Sequence, residues 1–169
     1  LEYRERSEFE FEIKFAGDVL IFIMHSNIFE FSRYHEIMNT PYIKQDKERS
    51  YSGIISIYNF LSDSFKYNRM NDAGYMIGRM FINKDNHFYL EGKREIAMIY
   101  NDYSSSKFEE SSSHEIIRAA ILYTVNFDLL TPPYDSVKIV SVADMQEWMN
   151  NLRVKTGKRL GFQFKADEK

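Results

Sequence analysis

The chain has 169 residues and a formal net charge of −3, from 22 basic and 25 acidic side chains, and it contains no cysteine. The missing cysteines exclude disulfide staples and thiolate metal sites, and the acidic balance argues against the basic face that nucleic-acid binders present. The longest strongly apolar run, Val19 to Met24, is far shorter than the roughly 20 residues of a membrane helix, and the charged stretch Leu1 to Phe15 does not read as a signal peptide.

A chain of this length fits one domain over 1–169, whole or as a piece of a longer protein, and is expected in the cytoplasm. The segment "SEFEFEIKFAG" alternates Phe9, Phe11, Ile13 and Phe15 with Glu8, Glu10, Glu12 and Lys14. That period of two predicts a half-buried strand with one wet face. Gly17-Asp18 reads as a tight turn. A second, more buried strand follows in "VLIFIMHSNIFEF", broken near Ser26-Asn27. The polar stretch from Arg33 to Arg49, with Thr40-Pro41 inside it, reads as a connection with little regular structure. Between Ser50 and Lys66 the apolar residues Ile54, Ile57, Tyr58, Leu61 and Phe65 recur at helical spacing, so an amphipathic helix is expected there.

Tyr75 to Ile82 then reads as a strand, "NKDN" as a hairpin turn, and His87 to Glu91 as the returning strand, with a third strand over Glu95 to Tyr103. The serine-rich patch "SSSKFEESSS" reads as a mobile loop whose last serines cap the next helix. That helix, "HEIIRAAILYTVNF", is apolar almost all round and is expected to be buried through Ile117, Ala120, Ile121 and Val125. Beyond Thr131-Pro132-Pro133 come a strand over Val137 to Val140, a helix opened by a Ser141/Asp144 capping box, Gly157 closing it, and a last strand in "RLGFQF". The pattern predicts an α+β domain. Its sheet is largely antiparallel, with about seven or eight strands, and three principal helices pack mainly on one face.

One stretch resembles chemistry. "DNHFYLEGKRE" contains Glu91-Gly92-Lys93, the acid-x-lysine arrangement that metal-dependent nucleases place at the end of a core strand. Such a site needs a second carboxylate beside the first. A turn at "NKDN" pairs Gly78 with Glu91 and Arg79 with Leu90, which leaves Asp72 and Asp85 each six residues away. Asp85, His87, Tyr89, Glu91 and Lys93 instead share one polar face of a strand, with Phe88 and Leu90 on the other. The histidines show no ligand spacing, "KTGKR" lacks the rest of a phosphate loop, and no nucleophile elbow is present. Arg79 interrupts an apolar strand, so it needs solvent, a carboxylate or an anion. With Lys66, Arg69 and Arg94 it forms a candidate anion-binding set. The expected function is therefore a non-enzymatic binding module for a protein partner or small anionic ligand, with no cofactor, no membrane role, and nucleic acid as a disfavoured but open partner. The alternative is a metal-dependent nuclease or phosphodiesterase using Glu91, Lys93 and a divalent metal.

Overall fold

A computed structural model describes residues 1–92, 96, 99–126, 138–155 and 163–165. In chain order the elements begin with β1 (Glu2–Ser7), β2 (Glu10–Phe15), β3 (Asp18–Met24), β4 (Ile28–Glu30) and the short α1 (Pro41–Gln45). They continue with β5 (Tyr51–Leu61), α2 (Ser62–Lys66), β6 (Ala73–Asn83), β7 (Phe88–Gly92) and α3 (Glu110–Val125), then β8 (Lys138–Ser141), α4 (Val142–Lys155) and β9 (Gln163–Lys165).

β5 and β6, eleven residues each, form the spine of one sheet. β3 and β4 lie end to end along one edge of β5, and β7 and β8 lie end to end along the outer edge of β6. β2 joins β3, and β1 is outermost. All these pairs are antiparallel; β9 alone runs parallel to its neighbour, β4. The α+β class and the large antiparallel sheet are as expected. The two long helices nevertheless take opposite faces. Ile116, Ala119, Ala120 and Tyr123 of α3 pack on Leu20, Phe22, Ile57 and Tyr75. Val142 and Met145 of α4 pack on Val19, Ile21, Tyr58 and Phe60, the alternate residues of the same strands. A third cluster on the α4 face joins Ile37 and Ile43 to Phe31, Phe81 and Tyr103.

The expected helix over Ser50 to Lys66 is instead strand β5 followed by the five-residue α2. β5 is a central strand covered on both faces, and the run Ser56 to Phe60 is buried without alternation. A strand of that kind has no period of two to display, so its apolar residues also satisfied helical spacing. Its β-branched and aromatic content, Ile54, Ile55, Ile57, Tyr58 and Phe60, favours the extended form.

Three further expectations are corrected. The acidic face of β2 is not wet: Glu10 and Glu12 are 3% and 2% exposed. Arg6, the extra residue of a bulge in β1, folds over them with Nε 2.8 Å from Glu12 Oε2 and its guanidinium 5.2 Å from the Phe65 ring. In the β6–β7 hairpin, Asn86 takes a left-handed φ of 60° and adds one residue to the loop. Arg79 consequently pairs with Glu91, and Leu90 with Met80. α3 buries Ile116, Ala119, Ala120 and Tyr123 but leaves Ile117 and Ile121 half-buried and Val125 66% exposed. Ala119 and Ala120 are both buried against the core, and Ile117 and Ile121 pack at its margin.

The remaining segments agree in part. The described residues between Glu95 and Tyr103 are turns and bends, not strand. The serine-rich loop is tied down, with Phe88 N–H donating to Ser106 O and Phe108 N–H to Asn86 O. The Ser141/Asp144 capping box is present, each residue's backbone N–H donating to the other's side chain. Gly157 and residues 159–162 lie outside the described residues. Among the described residues no helix is long and apolar enough to cross a membrane.

Candidate functional site

Cross-strand pairing builds a row on the α4 face: Glu10 beside Ile23, Ile23 beside Ser56, Ser56 beside Arg79, and Arg79 beside Glu91. Residues at directly opposed positions of a sheet share a face. This row is polar at four of its five positions and passes between the two apolar clusters of that face.

At its centre Ser56 Oγ lies 2.9 Å from His25 Nε2. His25 is exposed at the break between β3 and β4, where its backbone N–H donates to Ile54 O. Burial pushes the Tyr58 hydroxyl above its ordinary range, opposed by a hydrogen bond with Ser56 and by the positive charge of Arg79. The His25–Ser56 contact has the atoms of a nucleophilic pair, but Ser56 is 2% exposed. A nucleophile must meet its substrate, and this hydroxyl ties a strand break to the sheet instead.

Arg79 donates through Nε and Nη2 to the single oxygen Oε2 of Glu91, at 2.8 and 2.5 Å. Both side chains reach water, at 38% and 47% exposure. The guanidinium also lies 5.6 Å from the Phe81 ring. Among the described residues its other N–H groups meet no protein acceptor. Tyr89, two residues before Glu91, is raised by burial and then by the negative charges of Glu91 and Glu36.

The other cations singled out in the sequence do not join this row. Lys66 and Arg69 gather around the Tyr67 ring at 5.0 and 5.5 Å, and Arg69 lies 3.9 Å from Asp72. They sit where β6 begins at Ala73, six residues from Arg79, or about 20 Å along a strand. Lys93 and Arg94 lie outside the described residues.

Neither upstream acid singled out in the sequence accompanies Glu91. Asp72 accepts from Ser64 Oγ at 2.7 Å, and Asp85 accepts from Arg49 Nε at 2.9 Å. Among the described residues no three His, Cys, Asp or Glu side chains gather as a metal site. The stretch from Asp85 to Glu91 instead anchors the segment before β5. The Tyr42 ring is held between the Arg49 guanidinium at 4.4 Å and the His87 ring at 4.6 Å. Beneath it Tyr103, pushed up to about 12 by burial, hydrogen-bonds Ser52 at 2.6 Å.

Sequence reasoning missed the grouping of His25 with Ser56 and Tyr58 because their meeting depends on strand pairing. The available signal was Ser56 interrupting an apolar run, which acquires meaning only once β5 is read as a strand. The chain matches no known family model, no curated protein and no solved structure.

Proposed function

We propose that the protein is a non-enzymatic binding module that receives a small anionic group, such as the carboxylate of a metabolite or partner, at Arg79. The observation that carries this reading is the exposed Arg79–Glu91 pair, in which one carboxylate oxygen uses only part of the guanidinium's donor capacity. An exposed ion pair contributes about 0–1 kcal/mol, so an external carboxylate can exchange with Glu91 at little cost. Glu91 and Glu36 add negative charge nearby, which favours a singly charged group over a polyphosphate or nucleic-acid backbone.

The competition makes a test with opposite signs. Acetate and inorganic phosphate are titrated into wild type, Arg79→Met and Glu91→Gln, following backbone amide shifts of β6 and β7. Acetate should perturb wild type, lose its effect in Arg79→Met, and bind more tightly to Glu91→Gln. Equal response of all three proteins, or weaker binding by Glu91→Gln, overturns the reading.

A further inference from the structure

The opposite face of the sheet carries a second surface of opposite charge. A groove of about 230 Å³ lies beside β1, with Tyr3, Phe11, Phe22 and Ile55 among its lining and Glu5 and Glu8 at its rim. Its aromatic rings form a row: Tyr3 and Phe11 are 5.7 Å apart, and Phe11 stacks on Phe22 at 4.5 Å. Tyr3 is 68% exposed. Among the described residues no basic side chain lines the groove, and neither Glu5 nor Glu8 has an ion pair.

Among the described residues β1 is the outermost strand at this edge and pairs only with β2, while its residues Glu2 to Glu5 are exposed. Such an edge presents a row of unpaired backbone donors and acceptors, a template for an incoming strand. Tyr3 and Glu5 alternate toward the groove side, so an added strand would set every second side chain against them. The mixed charges of the edge, Glu2, Arg4 and Glu5, disfavour apolar self-pairing and leave selection to complementary charge.

We propose that β1 and its acidic, aromatic groove bind an extended basic segment of a partner protein by strand addition. Its lysine or arginine side chains meet the carboxylates of Glu5 and Glu8 and lie on the Tyr3 ring, where a cation is attracted to the π face. Backbone pairing to β1 supplies the binding, and the alternate cations supply the selection.

The probe is a capped heptapeptide alternating lysine and valine, compared with its glutamate–valine counterpart and with a version carrying a central proline. Binding is followed by calorimetry, and protection of the outward β1 amides by hydrogen exchange. The lysine peptide should bind in a salt-sensitive way and protect those amides. The proline and glutamate peptides should not. Glu5→Gln/Glu8→Gln should weaken binding about tenfold with unchanged Tm, since both carboxylates are exposed and each contributes a few-fold. Equal binding of the glutamate peptide, an unaffected double variant, or a wild-type protein that dimerises through β1 without peptide overturns the proposal. Arg79→Met should bind the lysine peptide as wild type does, so this outcome is separable from the carboxylate site.

Discussion

Arg79 and Glu91 oppose each other directly across β6 and β7, and both of the guanidinium's bonds converge on Oε2. Because both side chains are well exposed, water screens the pair. Arg79→Met should lower stability by less than about 1 kcal/mol, and a double-mutant cycle with Glu91→Gln should give a coupling of about 0.2–1 kcal/mol. Urea denaturation reads both. A loss of about 3 kcal/mol or more is the behaviour of a buried pair and would contradict the exposure found here.

Arg6 makes the contrasting case. It is 17% exposed and faces Glu10 and Glu12, whose side chains are 1% and 3% exposed. Removing the cation from a buried pair leaves charge without its compensation. Arg6→Met is therefore expected to cost about 3–5 kcal/mol. Lys14, 3.7 Å from Glu12, is too solvent-exposed to replace it fully. A loss under about 1 kcal/mol in urea would place the cluster with ordinary surface bridges.

These two arginines show where sequence reading succeeds and stops. The alternation of β2, the hairpin of β6 and β7, the apolar helix α3 and the capping box of α4 are local patterns, and each was legible. The partner of Arg79 was displaced by one position because nothing local shows that Asn86 enters the left-handed region and extends the turn. Glu10 and Glu12 looked solvated because β1 was unrecognised and its bulge, which aims Arg6 over them, is a property of the pairing. β5 was lost for a different reason. Burial on both faces erases the period by which strands are recognised. The His25–Ser56–Tyr58 grouping depends on β5, so it disappeared with it.

The β2–β3 turn carries a local strain that can be relieved. Ala16 and Gly17 both have positive φ, 45° and 90°, as a two-residue hairpin turn of the mirror-image type requires. Glycine adopts this freely, whereas an alanine Cβ costs about 1–2 kcal/mol. Ala16→Asn tolerates the left-handed region and recreates the favoured Asn-Gly pair. It should raise stability by about 0.5–1 kcal/mol, read as a higher denaturation midpoint with an unchanged slope. A lower midpoint would show that the turn is not under this strain.

The residue that closes the same turn gives stability a pH dependence. Asp18 is partly buried, paired across the sheet with Phe15 and Leu61, and its carboxyl is pushed up to about 6 by that burial. Its face also carries Asn59, fully buried and, among the described residues, with no hydrogen-bond partner for either amide atom. Among the described residues no cation there stabilises the ionised form. In the unfolded chain the same carboxyl titrates near 3.9. Between those values the folded protein holds more of the proton than the unfolded one, so the free energy of unfolding falls as pH rises. Asp18 is therefore least unfavourable below about pH 4 and most destabilising above about pH 6. Asp18→Asn keeps the shape and removes the charge. It should be more stable than wild type at neutral pH, and the gap should close as pH falls through this window. Chemical denaturation at half-unit pH steps measures both curves. A gap that stays constant, or widens on acidification, would show that Asp18 is not held in its neutral form by the fold.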